Sequence, residues 1–75
     1  MKFISEKKAR KLVADEIRFA RVKRRLSQED LASMCDLSRT SISSAERSES
    51  TISWWHLYKL MKVLEIKWSE LDSIL

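Results

Sequence analysis

Residues 28–47 read QEDLASMCDLSRTSISSAER, and this stretch predicts two short helices joined by a tight connection. We place the N-caps of the two helices at Ser27 and Ser38, because a serine side chain can accept a hydrogen bond from a free N–H of the first turn. Asp36 is expected to end the first helix, since aspartate tolerates the left-handed conformation better than most residues. A connection of only three residues, 36–38, sets the two helices at a steep angle.

The two predicted helices differ in how much apolar surface they offer. The first is expected to bury Leu31, Ala32, Met34 and Cys35. A helix as rich in serine and threonine as the second has a low intrinsic propensity, so its wide polar face needs a reason, and contact with a polar partner is one. The second helix has Ile42 and Ala45 as its apolar residues, and its outer face carries Arg39, Thr40, Ser43, Ser44 and Arg47.

The rest of the chain predicts three more helices by its apolar periodicity. They run from about Glu6 to Arg25, from Trp54 to about Leu64, and from Trp68 onward, with a loop at residues 48–52. The chain contains no glycine and no proline, which favours helices over tight hairpins. We therefore expect an all-α, compact five-helix domain of one unit. Trp54 falls on the apolar stripe of the fourth helix and is expected to pack in the core.

Charge is distributed unevenly along the sequence. The net charge is +4 over 75 residues, but residues 1–25 carry a net charge of +7 and the remaining residues −3. A positive N-terminal part suits a polyanion such as nucleic acid, although a solvated basic helix face is equally compatible with it. We separate residues 1–11 as a basic N-terminal extension, which is either an arm along a partner or a frayed end, and assign residues 12–75 to the domain.

Several functional classes are disfavoured by the residues present. Cys35 is the single cysteine, so no intrachain disulfide framework is possible and a cytoplasmic protein fits. Cys35 and the single histidine, His56, are too few for a zinc site. No apolar run approaches the length needed to span a bilayer. No nucleophile with a partner base is recognisable, so we expect neither an enzyme nor a bound cofactor.

Residues 28–32, 37–43 and 46–47 together resemble the helix-turn-helix of phage repressors and Cro proteins, the XRE family. The resemblance extends from about Ile17 to Leu71 and implies a lambda-repressor-like domain that binds double-stranded DNA. Asp36 and Ser48 stand where the family usually has glycine, and Ala45 replaces a larger apolar residue.

Roles for individual residues follow from this resemblance. Arg39, Thr40 and Ser44 would contact base edges, where the arginine fork can engage guanine O6 and N7 together. Arg21 in the first helix would pair with Glu46 late in the recognition helix as a structural salt bridge. The phosphate contacts would be Gln28, Ser38, Ser43 and Arg47.

The expected function is that of a transcriptional regulator, for which a homodimer and repression of its own promoter are the first hypothesis. A second hypothesis is an antitoxin that binds DNA and a toxin protein. A third, from another class, is a protein-interaction module without DNA binding. The residues considered for a dimer or partner interface are Trp55, Trp68, Leu71 and Ile74.

Overall fold

A computed structural model describes residues 2–49 and 52–75 of the chain. Met1, Ser50 and Thr51 lie outside the described residues, and with them parts of the predicted extension and of the predicted loop. The described residues form five α-helices and no strand, so the prediction of an all-α, five-helix domain is confirmed. The helices are α1 (Glu6–Lys23), α2 (Gln28–Cys35), α3 (Arg39–Arg47), α4 (Trp54–Leu64) and α5 (Trp68–Ile74).

Serine residues begin four of these five helices. The side chains of Ser5, Ser27, Ser38 and Ser53 each accept a hydrogen bond from the backbone N–H three residues further on. At α2 the cap is reciprocal, because the Asp30 carboxylate also accepts from the Ser27 backbone N–H at 2.9 Å. These hydrogen bonds from the backbone and side chain of Ser27 hold the pKa of Asp30 below its usual value. The caps predicted at Ser27 and Ser38 are therefore present.

The connections after four helices use a residue in the left-handed conformation. These residues are Arg25, Asp36, Ser48 and Glu65, with φ between 54° and 58°. Glycine usually occupies such positions because a Cβ atom makes the left-handed region costly. The predicted helix stop at Asp36 is confirmed by its φ of 54° and ψ of 46°.

The core lies where α1, α2, α3 and α4 meet, and α5 closes it against α1. Its fully buried large side chains are those of Ile17, Leu31, Ile42, Leu60, Leu64 and Leu71.

Two predictions about the core are wrong. Met34 is 57% exposed. Its side chain leaves α2 roughly a quarter of a turn around the helix axis from the middle of the buried face formed by Leu31 and Cys35. Trp54 is 69% exposed, because it is the first residue of α4 and extends past the end of the core.

Among the residues that the structure describes, none of the helices combines the length and apolar character that crossing a bilayer requires.

Candidate nucleic-acid interface

The turn between α2 and α3 is fixed by backbone hydrogen bonds and one apolar anchor. The backbone N–H of Asp36 is directed at the carbonyl oxygens of Ala32 and Ser33, and that of Leu37 donates to the Ala32 carbonyl at 2.9 Å. Leu37 packs, partly buried, against the core. Ala32 is 4% exposed, and its small side chain permits the close approach of the neighbouring helices. The result is the short, rigid connection that a helix-turn-helix requires.

Helix α3 has one buried side and one open side. Ile42 is completely buried and anchors the helix from behind. Arg39, Thr40 and Arg47 are exposed, and Ser43 and Ser44 are half-buried. The short hydroxyl groups and the two guanidinium groups on the open side are hydrogen-bonding groups of the kind that meet base edges and phosphates.

An ion pair between α1 and α3 supports this arrangement. The Arg21 Nε donates to Glu46 Oε2 at 2.6 Å, and its Nη2 donates to Glu46 Oε1 at 3.0 Å. The Arg21 Nη1 also donates to the backbone carbonyl of Leu26 at 2.7 Å. The Arg21 and Glu46 side chains are only 13% and 3% exposed. One guanidinium group therefore joins α1, the α1–α2 connection and the recognition helix.

Two of the predicted phosphate contacts already have partners within the protein. The Gln28 Nε2 donates to Glu46 Oε1 at 3.3 Å, so this amide extends the buried ion pair. The Ser38 Oγ caps α3 by accepting from the Ser41 backbone N–H at 3.1 Å, and it lies 2.9 Å from the Ser41 Oγ. Sequence reasoning did not foresee the Gln28 contact, because residues 18 positions apart meet only through the tertiary fold.

Arg47 remains available at the surface. Its Nε lies 3.1 Å from Glu49 Oε1, and both side chains are more than half exposed. Such an exposed pair contributes little to stability, about 0–1 kcal/mol. A phosphate can therefore replace the Glu49 carboxylate as the partner of this guanidinium at little cost.

A shallow groove runs between α3 and the start of α4, and no local sequence pattern predicts it. His56, half-buried, lies in this groove beside Thr40 and Ser44. Because His56 follows the Ser53 cap by three residues, the sequence places its backbone in the first turn of α4. The position of its side chain depends on how α3 and α4 pack, which the sequence pattern does not show. The groove is lined by Thr40, Ser41, Ser44, Ala45, Ile52, Ser53 and His56.

The residues considered for a protein interface do not form one surface. Leu71 is 2% exposed and belongs to the core, so its place in an interface was wrongly predicted: as the buried residue of α5 it holds that helix onto the domain. Trp55 and Trp68 are 49% and 60% exposed, and Ile74 is partly buried against the core. Trp55 is in contact with other rings of α4, whereas Trp68 begins α5.

Neither thiol chemistry nor metal chemistry is suggested by the described part of the chain. Cys35 is buried, and burial raises the pKa of its thiol, opposed only in part by the charge of Lys59. A thiol with a raised pKa has little of the reactive thiolate form. Within residues 2–49 and 52–75, no three histidine, cysteine or acidic side chains come together as a metal site would require.

The fold and the site define a helix-turn-helix protein, with α2 and α3 as the paired helices and α3 as the recognition helix. The family profile described as "Helix-turn-helix" matches residues 17–71, which are 55 of the 75 residues. The chain belongs to this XRE-type helix-turn-helix family, and it is a DNA-binding regulator. No curated protein matches the sequence.

Proposed function

We propose that the chain is a sequence-specific repressor that binds a palindromic operator as a homodimer and represses its own promoter. The observation that carries this proposal is the geometry of α3. Arg39, Thr40 and Arg47 are exposed on its outer side and Ser43 and Ser44 are half-buried there, while Ile42 and the Arg21–Glu46 pair hold the helix from behind. A polar helix face held this rigidly suits the major groove of duplex DNA.

In this proposal the recognition helix reads bases with its first two turns. Arg39 donates to guanine O6 and N7, and Thr40 and Ser44 contact neighbouring base edges. His56 lies in the same groove as Thr40 and Ser44, so it is placed at the edge of the base-reading surface.

The phosphate contacts flank this surface. Ser43 and Arg47 bind one strand from the later part of α3, and Ser38 contributes its hydroxyl at the helix start. At the start of α2, the Gln28 side-chain amide acts together with the free backbone N–H groups at the helix end. The basic residues of the N-terminal extension, residues 1–11, add a sequence-independent attraction to the DNA backbone.

A single helix-turn-helix contacts few base pairs, so useful specificity calls for two copies. The α5 surface suits this role, since Trp68 and Leu75 are 60% and 48% exposed and tryptophan is enriched in interfaces. A two-fold dimer would place the recognition helices on half-sites about 34 Å apart, roughly one turn of DNA.

Selection of bound sequences from a pool of random duplexes tests this proposal. We expect an enriched motif made of two inverted half-sites with centres about 10–10.5 base pairs apart. Enrichment of a single half-site would remove the homodimer from the proposal. A pool without enrichment would instead support the protein-interaction module without DNA binding.

A second candidate is an antitoxin that represses its operon and also binds a toxin. The exposed aromatic side chains of α4 favour the antitoxin candidate. They lie outside the groove between α3 and α4, so a DNA-binding dimer leaves them without a partner. Purification of the tagged chain from its native host tests this candidate. A toxin recovered in stoichiometric amount would support it, and recovery of the chain with no second protein would contradict it.

A further inference from the structure

Three exposed aromatic rings lie together on the first turns of α4. Trp54, Trp55 and Tyr58 are 69%, 49% and 37% exposed. The Trp55 and Tyr58 rings are stacked, with centroids 5.4 Å apart and planes at 15°, and Trp54 packs edge-on against Trp55 at 5.6 Å. Contiguous exposed apolar surface of this kind marks interaction sites, and tryptophan and tyrosine dominate binding hot spots.

Two lysine side chains frame these rings. The Lys59 Nζ lies 5.6 Å from the centre of the Trp55 ring, and the Lys62 Nζ lies 5.9 Å from the centre of the Tyr58 ring. Neither ammonium group has a carboxylate within ion-pair distance in the described part of the chain, and α4 contains no acidic residue. We name Trp54, Trp55, Tyr58, Lys59 and Lys62 the aromatic–lysine cluster; it is apolar at its centre and positive at its rim.

Most of the cluster lies on the side of α4 away from the groove between α3 and α4. His56 lies in that groove, and none of the five cluster residues is among those that line it. At about 100° per residue along a helix, Trp54 and Tyr58 leave α4 roughly 160° around the axis from His56 and Lys62 roughly 120°, whereas Trp55 and Lys59 are nearer to it, at roughly 100° and 60°. A duplex seated against α3 therefore leaves at least Trp54, Tyr58 and Lys62 open to another molecule.

The contacts within the cluster disfavour two of its conceivable occupants. Single-stranded nucleic acid stacks successive bases on open ring faces. Trp55 and Tyr58 already stack on each other and each carries a lysine, so within the cluster Trp54 alone has neither a stacked ring nor a lysine over its face. A second copy placed on the cluster by a two-fold axis would bring Lys59 and Lys62 close to their own counterparts, and like charges brought together across an interface are unfavourable.

We propose that the aromatic–lysine cluster is a docking site for an acidic, amphipathic segment of a partner protein. The carboxylates of the segment pair with Lys59 and Lys62, and its apolar side chains pack against the ring edges of Trp54 and Trp55. Charge complementarity at the rim and aromatic anchors at the centre are the arrangement expected of such an interface. The proposal goes beyond DNA binding, and it holds whether or not the partner is a toxin.

A library of random 12-residue peptides displayed on phage tests the proposal. The library is selected on the full-length protein and depleted on the Trp55→Ala/Tyr58→Ala variant. We expect the recovered peptides to be acidic and to carry aromatic or aliphatic residues. Recovery of no peptide, or of neutral or basic peptides, would overturn the proposal.

Variants then locate the binding of one recovered peptide, measured by titration calorimetry. Its affinity should fall at least about tenfold with Trp55→Ala/Tyr58→Ala and with Lys59→Glu/Lys62→Glu. The control is Phe19→Ala, which removes an exposed aromatic ring on α1 (64% exposed) and should leave the affinity unchanged. Equal binding by all variants would refute the proposed site. The lysine variant retains all three rings and serves as the test if the aromatic variant does not fold.

Two further measurements test whether the aromatic–lysine cluster binds a second copy of the chain or DNA instead. Loss of self-association by the Trp55→Ala/Tyr58→Ala variant in sedimentation velocity would assign the cluster to a second copy and overturn the proposal. Loss of duplex binding by the Trp55→Ala/Tyr58→Ala variant, whose net charge is unchanged, would assign the cluster to DNA and also overturn the proposal. If the wild-type protein binds no duplex at all, the proposed repressor function fails, while the peptide result still decides the role of the cluster.

Discussion

Among single residues, Arg21 and Glu46 show how a buried charge can position a functional helix. A buried carboxylate is stable only when its oxygens are paired, and those of Glu46 receive donors from Arg21 and Gln28. The partners come from α1 and from the first residue of α2. The ion pair therefore fixes the orientation of α3 relative to both helices that support it.

Removing either partner should be strongly destabilising. We expect Glu46→Ala or Arg21→Met to lower the free energy of unfolding by about 3–5 kcal/mol, because each leaves the other charge buried without its partner. The double variant should lose less than the sum of the single losses. Urea denaturation measures all three.

The exposed pair of Arg47 and Glu49 is the control for these stability measurements. Glu49→Ala should change the free energy of unfolding by no more than about 1 kcal/mol, since both side chains of that pair are in water. If Glu46→Ala cost no more than Glu49→Ala, the ion pair would not hold α3 in place.

Sequence reasoning reached some single-residue features and missed others. The capping serines were predictable, because a cap depends on residues within one turn of each other. Arg21 and Glu46 were paired through the family resemblance, and the structure joins them at hydrogen-bond distance. The contact of Gln28 with Glu46 and the place of His56 beside α3 depend on tertiary packing, which local sequence patterns do not encode.

Four of the helices are followed by a left-handed residue that is not glycine, and this lowers the stability of the domain. Arg25, Asp36, Ser48 and Glu65 all adopt positive φ, a conformation that costs residues with a Cβ roughly 1–2 kcal/mol. The short connections of the helix-turn-helix are thus obtained with some loss of stability.

Replacing one of these residues by glycine should recover part of that loss. We expect Ser48→Gly to raise the free energy of unfolding by about 0.5–1 kcal/mol, the relief of the left-handed strain less the added chain entropy of glycine. For a domain of this size that corresponds to a rise in Tm of a few degrees. Thermal unfolding followed by circular dichroism measures it.

The same substitution inside a helix is the matched control. Ser33→Gly, at an exposed position in α2, should lower the Tm, because glycine is a poorer helix former than serine. A lower Tm for both variants would contradict the account of strained helix ends.

Apolar periodicity predicted the helices well and the limits of the core poorly. Leu60, Met61 and Leu64 are buried as the stripe of α4 predicts. Trp54 continues the same stripe and is exposed, because the period of a helix gives the direction of a side chain and not whether a neighbouring helix reaches that far. Leu71 shows the converse, since a residue considered for an interface lies in the core.

For the molecule as a whole, the excess positive charge and the exposed aromatic surfaces of α4 and α5 lie in different parts of the chain and suit different kinds of partner. The first 25 residues carry a net charge of +7, which strengthens attraction to DNA without regard to sequence. In the proposed function, specificity depends on the open face of α3. The α5 surface and the aromatic–lysine cluster lie on other helices, so the proposed dimerisation and partner binding need not compete with DNA binding for the same residues.

The affinity of Arg39→Ala for a selected operator and for random duplex, compared at one fixed salt concentration, decides whether α3 reads the DNA sequence. If Arg39 reads a base from α3, binding to the operator should weaken by about 1–3 kcal/mol, roughly 5- to 150-fold, with random duplex nearly unaffected. Arg47→Ala, the phosphate-contact control, should weaken both complexes alike. An equal loss on both duplexes for Arg39→Ala would contradict the claim that the open face of α3 reads the DNA sequence.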